Sequence, residues 1–188
     1  MNPTDHDLMH HWRQGDAVAF AELVRRWEDR LGLFVTRLLG PRADVDDLCQ
    51  EVFIRVLGAR ERYRSEGSFS TWLYRIALNV ARDSRRRQKR RGVTQSLAGH
   101  DVASPSAGPD EDLGRREVGR LVDEALDTLT TELREVLVLK HFGKLTFAET
   151  ATVLGLPAST VKSRMQAALV RLRSELRRRG LHGEELEA

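Results

Sequence analysis

Apolar residues recur at intervals of three and four along this chain, and the strict alternation typical of a β-strand is absent. A first repeat predicts a helix from about residue 16 to residue 39, ended by Gly40-Pro41. A second repeat follows Asp44, which can serve as its N-cap. Its apolar positions form a single stripe, which comprises Val45, Leu48, Cys49, Val52, Phe53, Val56 and Leu57.

A third helix is predicted after a turn that contains Ser65, Gly67 and Ser68, and its apolar face comprises Phe69, Trp72, Leu73, Ile76 and Val80. The second half of the chain predicts four further helices. The first two cover about residues 113–126 and 133–142, the next starts at a Thr146-x-x-Glu149 capping box, and the last covers about residues 158–178.

Residues 93–112 lack helical periodicity and contain two prolines, several serines and glycines and a closing acidic cluster, which is typical of a flexible linker. This segment divides the chain into an N-terminal domain, residues 1–92, and a C-terminal domain, residues 113–188. The predicted fold class is therefore all-α, with two small helical domains joined by a flexible linker.

Charge is unevenly distributed, although the net charge is only +3. Residues 44–51 carry four acids and no base, whereas residues 82–91 carry seven bases and one acid, Asp83. This division favours two different partners, one of them polyanionic. The single cysteine, Cys49, rules out an internal disulfide, and neither a signal peptide nor an apolar run of membrane-spanning length is present. The expected location is the cytoplasm.

The segment 146–178 has the pattern of a helix-turn-helix, in which the second helix enters the DNA major groove. If Val161 marks the buried face of that helix, polar side chains at its N-terminal end point outward or lie on a flank. The candidate DNA-binding residues are Ser159, Thr160, Lys162, Ser163, Arg164, Gln166 and Arg171. The alternative is an ordinary helical hairpin with a solvated basic face.

A basic stripe precedes the linker, because Arg75, Asn79, Arg82 and Arg86 are spaced by four, three and four residues. Cations on one helix face can hold a phosphate backbone, and an asparagine can read a base edge. With the neighbouring loop, the stripe predicts a site for single-stranded nucleic acid, which would also include Ser65, Ser68 and Trp72. The alternatives are a solvated helix end for the arginines and simple core packing for Trp72.

The second predicted helix has a polar face formed by Asp46, Asp47, Gln50 and Glu51. Acids near a helix N-terminus are often only solvated. Because such a face repels DNA, a functional partner would be a basic protein surface. Cys49 lies on the apolar stripe and is expected to belong to the core rather than to a redox site.

Three stretches, DVDDLCQEVFIRVL, FSTWLYRIALNVARDSRRR and LTFAETATVLGLPASTVKSRMQAALVRLRSEL, resemble in order and spacing the extracytoplasmic-function (ECF) sigma factors of bacterial RNA polymerase. The resemblance implies a region 2 domain and a region 4 domain. It implies that Asp46, Asp47, Gln50 and Glu51 dock on the β′ clamp helices of core polymerase. The helix with Asn79, Arg82 and Arg86, together with the loop at 64–70, would recognise and melt the −10 promoter element, and residues 159–166 would read the −35 element.

The same resemblance implies a transcription initiation factor with no enzymatic activity and no cofactor. Its partners would be core RNA polymerase, through the β′ clamp helices and the β flap, promoter DNA and an anti-sigma factor. Two other interpretations stay open on the residues alone. A dimeric repressor or activator would use the helix-turn-helix without polymerase, and an enzyme or metal sensor would use His6, His10 and His11.

Overall fold

The computed structural model describes residues 2–40, 43–64, 67–92 and 112–180, without the side chains of 91–92 and 112–118. Within these ranges the chain forms helices and no strands. The α-helices are α1 (Asp5–Arg13), α2 (Ala17–Leu39), α3 (Val45–Gly58), α4 (Phe69–Gly92), α5 (Asp112–Asp127), α6 (Thr131–His141), α7 (Phe147–Leu154) and α8 (Ala158–Arg178), and a short 3-10 turn spans Arg60–Arg62. The all-α prediction is confirmed.

The N-terminal helix α1 is an addition to the helices that the periodicity predicts. It starts with a capping box in which the Thr4 hydroxyl accepts a hydrogen bond from the backbone N–H of Asp7, and Asp7 accepts one from Thr4. Its short apolar face buries Leu8, Met9 and Trp12 against α2. Because only three apolar positions contribute, the repeat is too short to stand out in the sequence.

The N-terminal domain is built on α2, α3 and α4, whose apolar stripes meet in one core. Leu31, Phe34 and Leu73 are fully buried there. The side chain of Asp44 accepts a hydrogen bond from the backbone N–H of Asp47 at 3.4 Å, so that it caps α3 as predicted. The predicted apolar stripe of α3 extends one residue too far, because Leu57, its last member, is 46% exposed to solvent.

The C-terminal domain consists of α5 to α8, and its smaller cores lie around Leu126 and Leu176. The Thr146 capping box forms as predicted, with the backbone N–H of Glu149 donating to Thr146 Oγ1 and the backbone N–H of Thr146 donating to Glu149 Oε2. Gly155 follows α7 with a φ of 66°, a left-handed conformation that glycine adopts without steric cost. The turn directs the chain into α8 through Pro157.

The two domains pack directly against each other. Val138, Leu139, Leu145 and Val153 of the C-terminal domain are buried in the same apolar cluster as the core of α2, α3 and α4. The predicted linker lies outside the described residues except for Asp112, where α5 begins. A continuous core thus extends across the domain boundary.

None of the helices in the described ranges has the length and apolar character required to cross a lipid bilayer.

Candidate nucleic-acid interface

The start of α8 presents an exposed polar surface, which we call the recognition face. Val161 is fully buried and anchors this end of the helix. Ser159, Lys162, Ser163, Gln166 and Arg171 are exposed, as the predicted face requires, and Thr160 and Arg164 are half-buried. The Ser163 hydroxyl donates to the carbonyl of Thr160 at 3.0 Å. Small hydroxyl side chains and cations at a helix N-terminus are suited to close approach to a DNA groove.

The two cations near the start of α8 have different surroundings. Lys162 makes no ion pair with any residue whose side chain is described. The pKa of Glu132 is lowered mainly by a hydrogen bond from its own backbone and one from Thr130, with a smaller contribution from the charge of Arg164. Arg164 therefore lies on the flank that faces α6, whereas Lys162 extends into solvent.

The start of α7 is held by local hydrogen bonds. Thr150 is fully buried, and its hydroxyl donates to the carbonyl of Thr146 at 2.8 Å. Hydrogen bonds from the backbone and side chain of Thr146, outweighing the opposite effect of burial, lower the pKa of Glu149. The ionised Glu149 thus holds the N-terminus of α7.

The basic stripe on α4 lies partly against the C-terminal domain. Arg75 donates to the carbonyl of Thr152 at 2.6 Å, and Arg82 donates to both carboxylate oxygens of Glu135, at 2.9 and 2.6 Å. Asn79 is exposed between them. The stripe is therefore not the freely solvated face that its spacing suggests.

The far end of the stripe belongs to a charge network on α3 and α4. Arg86 is exposed and pairs with Asp83. Hydrogen bonds from Arg86 first, and then from Arg55, lower the pKa of Asp83. Arg86 remains accessible to a phosphate because it belongs to the exposed side of this network.

The loop before α4 and the first turn of α4 contact α7 through hydroxyl groups. Ser68 donates to Glu149 Oε1 at 3.0 Å, and Thr71 lies 3.4 Å from the same oxygen. Trp72 is half-buried, with its ring centroid 5.1 Å from that of Tyr63, so that it contributes to the core without being fully enclosed. Ser65, which the sequence also assigns to this site, lies outside the described residues.

The acidic face of α3 keeps three of its four predicted side chains exposed: Asp46, Asp47 and Gln50. Glu51 instead accepts hydrogen bonds from Arg55 at 2.6 Å and Arg87 at 2.9 Å. Although burial opposes it, the hydrogen bonds from Arg87 and Arg55 lower the pKa of Glu51. Cys49 behind this face is half-buried, and burial followed by the charge of Asp46 raises its thiol pKa to about 11.

The histidines near the N-terminus do not assemble a metal site among the described residues. His6 Nδ1 lies 3.3 Å from the hydroxyl of Tyr63, and His10 lies 3.0 Å from the side-chain amide of Gln14. These rings are thus engaged in local contacts around α1.

Family models match both domains. The model of Sigma-70 region 2 matches residues 23–91, and the model of Sigma-70 region 4 matches residues 119–172. Together with the helical fold, the two matches define the class, a sigma factor built of regions 2 and 4.

Individual relatives narrow this class. The chain is 31% identical over 170 residues to the ECF RNA polymerase sigma-E factor of Haemophilus influenzae, which covers 86% of this chain and 89% of that protein. It is 30% identical over 170 residues to the ECF RNA polymerase sigma-E factor of Escherichia coli K12, and the match covers 86% of this chain and 88% of that protein. The chain belongs to the ECF sigma factors. It is a transcription initiation factor that directs RNA polymerase to promoters and is not an enzyme.

Solved structures show the same fold. CnrH, solved in complex with the cytosolic domain of CnrY, is 28% identical, with a TM-score of 0.69 and coverage of 92% of this chain and 96% of that one. The sigma factor RpoE of Bartonella quintana, solved in complex with the anti-sigma factor NepR, is 20% identical with a TM-score of 0.71. The match covers 84% of this chain and 96% of that one.

Proposed function

We propose that this sigma factor divides promoter recognition between two helices, with α8 reading the −35 element and α4 capturing the −10 element. The observation that carries the proposal is the exposed polar start of α8, anchored by Val161 and directed outward by the turn at Gly155. A helix N-terminus with small hydroxyl groups and exposed positive charge fits the major groove. Lys162 supplies a phosphate contact, and Gln166 can donate to and accept from a base edge.

For the −10 element, the proposed residues are those of the basic stripe and the adjoining loop. Asn79 and Arg86 are exposed, and Trp72 is half-buried in the first turn of α4. Single-stranded DNA binds to surfaces that combine cations with aromatic side chains and base pockets. Capture of unstacked bases would drive melting, so that no nucleotide hydrolysis by this chain is needed.

Core polymerase binding is assigned to the acidic face of α3. Asp46, Asp47 and Gln50 are exposed there and suit a basic protein surface such as the β′ clamp helices. Glu51 contributes less directly, because its carboxylate is shared by Arg55 and Arg87. The C-terminal domain would contact the β flap. Since its work is done on core polymerase, we place the chain in the cytoplasm.

An anti-sigma factor is proposed as a further partner. CnrH was solved with the cytosolic domain of CnrY and the Bartonella sigma factor RpoE with the anti-sigma factor NepR, and the fold here is shared with both CnrH and RpoE. A dimeric repressor that uses the same helix-turn-helix would leave the acidic face of α3 unexplained.

Reconstitution tests the proposal. The purified chain mixed with core polymerase should start transcripts from a promoter that core enzyme alone ignores. A chain that binds duplex DNA tightly but never associates with core enzyme would contradict the sigma mechanism and support the repressor. The −10 assignment is tested by replacing Asn79 with alanine, which should lower open-complex formation without weakening core binding.

A further inference from the structure

The exposed side of α8 that carries the recognition face continues to the C-terminal end of the helix. Arg173 follows Lys162, and Arg177 follows Gln166, at intervals of about three helical turns, so the four residues share one side. All four are exposed. Val170, which is 68% exposed, lies between the two ends of this side, and no acidic side chain interrupts it. We call Arg173 and Arg177 the arginine extension.

The arginine extension differs from the arginines that follow it in having no acidic partner among the residues whose side chains are described. Arg178 and Arg179 pair with Glu175, at 3.1 and 2.9 Å, and Arg179 also pairs with Glu124. Glu175 is buried on the inner side of α8. The nearest acid of the helix is therefore already shared by two other arginines, and the charge of the extension faces solvent.

The helix dipole accounts for only part of this charge. Cations in the last turn of a helix are favoured by its negative end, and Arg177 lies in that turn. The dipole effect falls off within the last turn, and Arg173 lies before it. The position of Arg173 on the same side as Lys162 thus has no local electrostatic cause.

The length of α8 determines what the extension can reach. The helix has 21 residues, so that Arg173 and Arg177 lie about 17 and 23 Å along its axis from Lys162. The DNA major groove is about 12 Å wide, and in a helix-turn-helix the first residues of the second helix contact base edges. If Lys162 lies in the groove, the extension lies beyond the base edges, where the nearest DNA groups are phosphates. The C-terminal end of the recognition helix of a homeodomain contacts the DNA backbone in this way.

We propose that Arg173 and Arg177 form a second contact of α8 with duplex DNA, in which their guanidinium groups bind phosphates beside the −35 element. This inference rests on the proposed function, because it takes the recognition face as the part of α8 that lies in the −35 groove. Guanidinium groups bind phosphate oxygens through paired hydrogen bonds, and exposed arginines without acidic partners lose no ion pair when they do so.

A phosphate contact has a different consequence from a base contact. It adds affinity and fixes the position of the helix on the duplex, but it carries no sequence information. The recognition face is made largely of small hydroxyl groups, with Lys162 as its exposed cation at the start of α8. The extension therefore supplies affinity that does not depend on the −35 sequence, while residues such as Gln166 supply discrimination.

The first experiment measures the salt dependence of DNA binding. Holoenzyme reconstituted with the Arg173→Ala, Arg177→Ala double variant is titrated onto a labelled −35 duplex over a series of salt concentrations. Loss of two phosphate contacts should reduce the slope of log affinity against log salt by about 1.8 and lower affinity by up to roughly thirtyfold near 0.15 M salt. The double lysine variant keeps both positive charges and should retain most of the slope.

The matched control removes the same charge from the same end of α8. Arg178 is 76% exposed and adjoins Arg177, but it pairs with Glu175 and lies on the flank. Arg178→Ala combined with Arg25→Ala removes two charges and should change the affinity and the slope much less. Circular dichroism on each variant checks that the helices are retained.

The second experiment asks whether the contact is to phosphates. The double alanine variant should lower the affinity for the −35 duplex and for a scrambled duplex by the same factor, whereas Gln166→Ala should lower the affinity for the −35 duplex more. Ethylation of single phosphates should reveal at least one position that weakens binding of the wild type but not of the double alanine variant.

The outcomes separate this inference from the proposed function. If the double alanine variant binds like wild type while Lys162→Ala with Arg164→Ala weakens binding, the −35 assignment stands and the extension contact is overturned. If the Arg178→Ala control loses as much affinity as the double alanine variant, net charge is the cause and the proposal is overturned. A loss confined to the −35 duplex, or an unchanged ethylation pattern, would also contradict a phosphate contact. If neither pair of substitutions weakens binding, the assignment of α8 to DNA fails as a whole.

Discussion

Replacing Lys162 and Arg164 with alanine removes two positive charges from the recognition face of α8. Neither change should unfold the domain, because Lys162 is exposed and Arg164 lies on a flank, while the buried anchor Val161 is kept. The expected loss is therefore in DNA binding. It should appear as weaker −35-dependent initiation by the reconstituted holoenzyme.

The magnitude follows from counterion release. Removing one cation that binds a phosphate should reduce the slope of log affinity against log salt by about 0.9, which corresponds to about fivefold in affinity near 0.15 M salt. Lys162→Ala should show the full effect. Arg164→Ala should show a smaller one, because the Arg164 charge is already partly balanced by Glu132. The affinity of the double variant should thus fall by up to roughly thirtyfold, and by more if either cation binds a guanine.

The assay is the binding of holoenzyme to a labelled −35 duplex over a series of salt concentrations, with core association measured separately. Arg25→Ala is the control for each single variant, since it likewise removes one positive charge, from an exposed, surface-paired residue of α2. Unchanged affinity and slope in the double variant, with normal core binding, would refute the assignment of this face to DNA.

Four further outcomes are expected. Asp47→Lys should weaken core polymerase binding by roughly tenfold or more in a pull-down titration, because it places a cation against a basic surface. Leu73→Ala should lower the free energy of unfolding by roughly 2–5 kcal/mol in urea titrations, because the side chain is fully buried. Cys49 should react with iodoacetamide at pH 8 on the order of a hundredfold more slowly than a free cysteine, measured by mass spectrometry, because its pKa is raised to about 11. Glu149→Gln should lower stability by roughly 1 kcal/mol at pH 7, measured by thermal unfolding, because hydrogen bonds with Thr146 are weakened.

The pH dependence of the last prediction has a definite sign. The folded-state pKa of Glu149 lies below its ordinary value of 4.5, so its stabilisation is fully present above pH 4.5 and is lost as the pH falls through the folded pKa. The difference in stability between wild type and Glu149→Gln should shrink on acidification, and a difference that persists unchanged at low pH would contradict this cause.

The other predictions have their own controls and contrary outcomes. For Asp47→Lys, the control is Asp29→Lys, which makes the same charge change at an exposed position of α2. Rapid modification of Cys49 in the folded chain, or a Leu73→Ala variant as stable as wild type, would contradict the burial of those side chains.

The starts and ends of the helices that carry the proposed function can largely be predicted from the local sequence. Asp44 and the Thr146 capping box mark the starts of α3 and α7, and Gly155 ends α7, because capping and left-handed turns depend on residues within one helical turn. The start of α8 at Ala158 and its buried Val161 follow from the same local periodicity. The sequence did not reveal α1, whose apolar repeat is short, and it placed Leu57 in a stripe that ends before it.

The pairing of the basic stripe and its adjoining loop with acids of the C-terminal domain could not be predicted from the sequence. Arg82 and Glu135 are 53 residues apart, and Ser68 and Glu149 are 81 apart, so no local spacing relates them. One signal was present: Glu135 stands in the apolar run LREVLVL, and an acid buried among apolar residues needs a cationic partner. The identity of that partner depends on the other domain.

The sequence by itself determined which segments after α1 are helical, and largely which faces of those helices are apolar and which carry charge, because each of these depends on neighbours three or four positions away. The tertiary structure alone decided which charged faces are free. It left Lys162 and Asp47 exposed and paired Arg82 and Ser68 with acids of the other domain. The physical reason is that the two domains share one apolar core, in which the C-terminal domain buries Val138, Leu139, Leu145 and Val153. Polar pairing between α4 and the helices α6 and α7 follows from that contact.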